Sequence, residues 1–203
     1  IKHVFRYRDK QDFITEIEAG DGDNDFRNAI MNETLAAGTN NAQLADRAAT
    51  SLSGGTTKGV MNTSSQTRRR GKVISAPTRK VLSDLARESG ADWSIQDGQL
   101  MFVPTKALLP GEAIKINAET GMLKAPEITE SGVTVETLME PMLRVYGAIH
   151  INNNDIKEQS KEQKEGTGTP RLSPDGIYKV VEVKHTGDTH TKDWYSEIKC
   201  VAL

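Results

Sequence analysis

This sequence predicts an α+β fold that is mainly β, with a small antiparallel β-barrel at the C-terminal end and a helix-plus-hairpin α/β module in the middle. Three observations predict it. One amphipathic helix, bounded by Pro77 and Gly90, runs directly into two short β-rich runs joined by Asp97-Gly98. Beyond Gly111 the chain consists of short β-rich runs separated by turn residues. Of the 203 residues 36% are hydrophobic and only 5% aromatic, with a mean hydropathy of −0.53, so the core is modest and the loops are polar.

Residues 3–8 and 13–18 read as strands, because β-branched and aromatic side chains recur there in partial alternation. Gly20-Asp-Gly-Asp-Asn24 interrupts them with turn chemistry. Residues 26–35 fit a short helix or an irregular segment, with Phe26, Ala29, Ile30 and Met31 as the apolar positions. Thr39 or Asn40 caps a helix running to about Leu52, since Leu44, Ala45, Ala48, Ala49 and Leu52 share one helical face. Residues 53–72 are small, polar and glycine-rich, and read as a long exposed loop of a length that signals function or disorder. The helix that follows starts with proline in its first turn, buries Val81, Leu82, Leu85 and Ala86, and stops at glycine. Residues 93–95 and 99–103 form its hairpin, which Pro104 and Pro110 close. Residues 113–116, 121–124, 128–135, 148–151, 177–185 and 194–201 read as strands. A short helical turn is expected at 139–143 and a hydrophilic, solvated loop over 152–176.

Three segments result: 1–71, a β/α segment ending in a basic loop; 72–126, the helix–hairpin module; and 127–203, the barrel-like segment. A net charge of −2 removes any bulk electrostatic case for nucleic acid or an anionic membrane. No apolar run approaches the roughly 18 residues of a membrane span and no signal peptide is visible, so no membrane partner is expected. The chain opens on Ile1 rather than Met, which leads us to expect an excised piece of a longer protein.

Candidate chemistry is thin. Asp21, Asp23 and Asp25 have the spacing of the first three ligands of a calcium loop, but Phe26 stands where the loop needs glycine and Asn32 where it needs glutamate. His185, Asp188 and His190 cluster at a turn between strands that splay side chains apart. The single cysteine, Cys200, excludes an intramolecular disulfide and has no neighbouring base, so it reads as a small core residue. Neither a G-x-S-x-G elbow nor a Walker-type loop is present. We expect no catalytic, cofactor-binding or metal-binding residues, and no enzyme. The one charge feature is Arg68-Arg-Arg-Gly-Lys72: between 53 and 72 there are five basic residues and no acidic one. Arg68, Arg69, Arg70 and Lys72 are therefore the candidate interaction residues, suited to phosphates or an acidic protein surface.

Glu18-Ala-Gly-Asp-Gly22, Leu35-Ala-Ala-Gly38 before a helix, the helix and hairpin around Leu82 to Leu100, and Gly176-Ile-Tyr-Lys-Val-Val-Glu-Val-Lys-His-Thr-Gly-Asp-Thr-His190 followed by Trp194 occur in this order. The order, from about residue 14 to 203, resembles the bacteriophage tail hub proteins of contractile-tail baseplates and related injection machines. In that family a Y-x-V strand, an H-x-G-D-T turn and a tryptophan strand end a small β-barrel. The resemblance implies a structural protein of the virion tail, assembled in the host cytoplasm. It also implies a trimer joining the tail tube to the spike, with DNA only as cargo through a central channel. Such hubs carry two barrels per subunit; this chain is short for two, so an upstream barrel is expected to be missing. Two alternatives stand beside it: a tail-associated cell-wall hydrolase, and a nucleic-acid-binding module using the loop from Arg68 to Lys72. Residues 53–72 and 154–174 carry few large apolar side chains, so both are expected to project from the body and to be poorly held in an isolated subunit.

Overall fold

Backbone pairing, more than side-chain bulk, organises this chain, whose computed structural model describes residues 1–129, 132–156 and 172–203. The fold is α+β and mainly β, 45% strand and 18% helix. It divides into two units, Ile1–Thr105 and Lys106–Leu203. The expected segment boundaries after residues 71 and 126 fall inside these units, because strand pairing runs across both positions.

The first unit opens with an antiparallel hairpin of β1 (His3–Asp9) and β2 (Asp12–Glu18). A six-residue helix α1 (Asp23–Asn28) and strand β3 (Ile30–Leu35) follow, which settles the region where the sequence allowed either a helix or an irregular segment. β3 is a strand because it zips along β5 (Lys72–Pro77), from Ile30 opposite Pro77 to Leu35 opposite Lys72, with Met31 and Leu35 turned into the core. Between them lie α2 (Asn41–Thr50) and β4 (Thr57–Met61). Asn40 caps α2 reciprocally: its side chain accepts from the Gln43 amide at 2.8 Å, and Gln43 Oε1 accepts from the Asn40 amide at 3.0 Å. Helix α3 (Thr78–Ser89) begins after Pro77 and ends at Gly90, whose φ of 60° is left-handed. Strands β6 (Ala91–Gln96) and β7 (Gln99–Pro104) turn through Asp97 and Gly98, both at positive φ as a tight hairpin with right-handed twist requires. β7 is the middle strand of a three-stranded sheet, antiparallel to β6 and parallel to β4. Leu82, Leu85, Leu44, Leu100 and Phe102 join the two helices to the sheets in one core.

Residues 53–72 do not project as expected. β4 pairs with β7, the Asn62 amide donates to the Phe102 carbonyl at 2.7 Å, and Thr67 bridges to Asn40. Small polar side chains bury little area, but each of these backbone bonds satisfies groups that would otherwise need water.

The second unit is one curled half-barrel sheet. Its strands are β8 (Ile114–Ile116), β9 (Glu127–Thr129), β10 (Gly132–Leu138), β11 (Ala148–Ile151), β12 (Ile177–Gly187) and β13 (Trp194–Ala202), in spatial order β8-β11-β12-β13-β10-β9. The sheet is open at β8 and β9, and β8 pairs with β11 in parallel where antiparallel pairing was expected throughout. A register shift between Val180 and Glu182 opposite β13 bends the longest strand, which helps the sheet curl. Val133, Ile149, Tyr178 and Ile198 fill the concave core. At Gly132, φ is 137° and a Cβ would overlap the Cys200 carbonyl, so only glycine fits beside β13. Two expected elements differ. Residues 121–124 form no strand: Asn117 caps a short 3₁₀ turn at Ala118–Thr120, and Met122 makes a single bridge to Thr137. Residues 139–143 form no helix but a single turn, in which the Leu143 amide donates to the Glu140 carbonyl at 3.3 Å.

Two outcomes test these cores. Phe102→Ala should lower stability by about 3–5 kcal/mol in a denaturant titration, since the ring is fully buried between sheet and helices. Burial pushes the Cys200 thiol up to about 12, and its Sγ donates to the Val133 carbonyl at 3.1 Å. The folded state therefore favours the neutral thiol: its contribution is intact below the unfolded value near 9.0 and is lost as pH rises from there through about 12. Alkylation at pH 8 should label Cys200 only when the protein is unfolded; rapid labelling of the native chain contradicts this packing.

Candidate interaction surfaces

The basic run is divided by the fold. Arg68 turns inward: its guanidinium donates to Glu88 at 2.6 Å at the end of α3 and to Asn41 Oδ1 at 3.4 Å. Its backbone is fastened too, donating to the Thr39 carbonyl at 3.0 Å and accepting from the Gly38 amide at 2.8 Å. Asn41, buried at the start of α2, donates through Nδ2 to Ser64 and Ser89, so one polar network holds α2, α3 and the 62–68 segment. Arg69 and Arg70 point to solvent on the bend beyond it. Lys72, at the head of β5, lines a groove of about 240 Å³ with Arg68, Val73, Lys80, Asp84 and Glu88. The structure thus brings Arg68 and Lys72 to one groove and leaves Arg69 and Arg70 exposed on the bend between them.

The hairpin of β1 and β2 is a surface the sequence reading passed over. Among the described residues no other strand pairs with it, and every side chain on it is exposed except that of the half-buried Ile14. Val4, Phe5, Tyr7, Ile17 and above all Phe13, 85% exposed, stand in solvent. Register sorts its residues by face, since opposed residues share a side of the sheet. Phe5 opposes Glu16, Tyr7 opposes Ile14, His3 opposes Glu18 and Asp9 opposes Asp12, giving one acidic face with three rings. Val4 opposes Ile17, Arg6 opposes Thr15 and Arg8 opposes Phe13, giving one basic, apolar face on which Arg8 lies 5.6 Å from the Phe13 ring centre. The signal was in the sequence: neither set of alternate residues is polar throughout, as one side of a half-buried strand would be.

The remaining candidates have local duties. Asp25 is buried, accepting from the Gly54 amide at 2.5 Å and the Thr56 amide at 3.0 Å. Burial works against its charge, but the hydrogen bonds of Thr56 and Gly54 outweigh it and hold its pKa below the ordinary value. Asp21 accepts from the Gly98 amide, and Asp23 pairs with Lys2 and Arg27, so the three carboxylates do not converge. His185 Nδ1 lies 2.8 Å from Ser196 Oγ, while His190 and Asp188 sit together on the β12–β13 turn. In the second unit the buried Tyr178 hydroxyl donates to Asn153 at 2.8 Å and accepts from the Ser173 amide at 3.3 Å. Asn153 Nδ2 closes the triangle on the Ser173 carbonyl at 2.6 Å. This clasp ties both stems of the expected 152–176 loop to β12; its middle, 157–171, lies outside the described residues. Among the described residues no helix is long and apolar enough to cross a membrane.

Comparison with known proteins adds the following. The model of a family described as baseplate hub gp41 matches residues 10–154. Among solved structures, the 43 kDa tail protein of prophage MuSo2 from Shewanella oneidensis superposes with a TM-score of 0.61 at 10% identity, covering 98% of this chain and 74% of that one. At that identity it shows a shared fold. No curated protein matches.

Removing Arg68 tests the polar network. Arg68→Ala should speed hydrogen exchange at the Gly38, Asn41 and Arg68 amides while lowering global stability by only about 1 kcal/mol, as a partly exposed pair warrants. Unchanged exchange at those amides would mean the backbone bonds hold the segment without the guanidinium.

Proposed function

The chain belongs to the baseplate hub gp41 family, and from that premise we propose that it is the central hub subunit joining the tail tube to the spike. Its role is structural, in the baseplate of a virion tail, in assembly with other tail proteins. The observation that carries the finer reading is the extent of the family match. It runs from the β1–β2 turn through β11 to Asn154, taking in nearly all of the first unit and the first half of the second.

On this reading the subunit acts as a trimer, assembles in the host cytoplasm, and leaves a central channel through which DNA passes as cargo. Its work is done by surfaces, and two are available in the first unit. Arg69 and Arg70 are exposed cations suited to an acidic patch on a tube or spike protein, and Arg68, paired with Glu88, anchors the bend that carries them. Lys72 adds a charge inside the adjoining groove.

Co-expression of the full chain with the tube and spike proteins of the same particle tests this reading. Native mass measurement should find the chain in complexes with both, three copies to a hub. Arg69→Glu with Arg70→Glu should weaken one of those contacts by about tenfold or more at low salt. Absence of any complex with either protein, at any stoichiometry, would overturn the joining role.

A further inference from the structure

We propose that the β1–β2 hairpin is an arm by which copies of this chain join head to tail, the basic, apolar face of one arm seating on the acidic, aromatic face of the next. The inference deepens the hub reading and rests on it for the existence of an assembly; the surface and its polarity come from the arm itself.

A two-stranded hairpin is marginal in water by itself, and this one exposes apolar side chains on both sides. Phe13 and Ile17 stand out on one face, Phe5 and Tyr7 on the other, so burying a single face would leave the other apolar set in solvent. The occupant must therefore engage both faces. Charge identifies it. Asp9, Asp12, Glu16 and Glu18 make one face strongly negative, and Arg6 and Arg8 make the other positive. A two-fold contact would set one face against its own copy, opposing carboxylates with carboxylates or guanidinium groups with guanidinium groups. A head-to-tail contact sets opposite charges together, covers one apolar set with the other, and uses both faces of every arm. A second copy of this chain is the one partner that brings both complements at once.

The arms are also small. Seven residues by two strands cover only about 24 by 10 Å, well under the roughly 800 Å² per partner of an ordinary stable interface. Such a latch suits a ring, where each subunit is held on two sides, better than an isolated pair.

The test uses the full chain alone, its mass followed by sedimentation at low and high salt. Wild type should associate, less so at high salt. Arg6→Glu with Arg8→Glu makes both faces acidic, and Glu16→Lys with Glu18→Lys turns the acidic face basic; each variant by itself should lose association by about tenfold or more. An equimolar mixture of the two variants should regain pairwise association, as species containing both chains, although an odd-membered ring of the two would keep one like-charged contact. All substitutions lie on exposed positions, and unchanged thermal unfolding would confirm that each variant is folded. Wild type that stays monomeric, variants that associate like wild type, or a mixture that fails to recover would each overturn the proposal. If a monomeric chain still binds tube or spike protein through this hairpin, the arm belongs to that partner and the hub reading stands. Association that follows the charge pattern without any tail-protein complex would instead leave the arm intact and remove the joining role.

Discussion

Strand β7 is the segment on which the first unit depends. Leu100, Met101, Phe102 and Val103 are consecutive and all buried, so this strand has no solvent face. A strand buried on both sides must also have both edges paired, or its amides lose water without replacement. β6 supplies one edge through the Asp97-Gly98 turn, and the other has to come from elsewhere in the chain. It comes from β4, out of a stretch whose own side chains give it little reason to be ordered. Once β4 is committed, the path from Met61 to Lys72 is short. It runs past the start of α2 and returns as β5 against β3. The position of Arg68 beside Glu88, and of Arg69 and Arg70 in solvent, follows from that path.

The second unit solves the same problem by curvature. The bulge at Val181 adds a local bend to the long strands β12 and β13, beside the core residues Tyr178 and Ile198. Burial then dictates side-chain chemistry. Cys200 stays a neutral thiol, and the Tyr178 hydroxyl, its ionisation pushed up by burial, needs the partners that Asn153 and Ser173 supply. The same hydrogen bonds hold Asn153 and Ser173 beside β12, so one buried ring both fills the core and ties two chain segments to the sheet.

A net charge near zero conceals strong local segregation. In the basic run one guanidinium is neutralised internally while its neighbours stand exposed, and on the hairpin residues as close as Arg8 and Asp9 place opposite signs on opposite faces. Such separation has little effect on folding stability, since exposed charges are screened, but it sets which surfaces attract and which repel. That is the property an assembly protein needs.

Elements with their own punctuation could be read in advance. α2 carries its reciprocal Asn40–Gln43 cap, α3 its Pro77 and Gly90, the β6–β7 hairpin its Asp-Gly turn, and the order of short motifs pointed to the hub family. These features are local: a cap or a tight turn is stabilised by residues three or four positions away, so the amino-acid order by itself determines them. Strands β3, β4 and β5 escaped, as did the parallel pairing of β8, because their partners lie tens of residues distant and backbone hydrogen bonds carry no residue signature. The candidate surfaces divide in the same way. That Arg68 to Lys72 form a basic run was plain from the order of residues; which of those cations faces Glu88 and which faces solvent was decided only when α3 and the 62–68 segment came together. The hairpin's alternating faces were likewise written in residues 3–18, but that no other strand covers them is a property of the packing of the whole unit, and only the tertiary structure decided it.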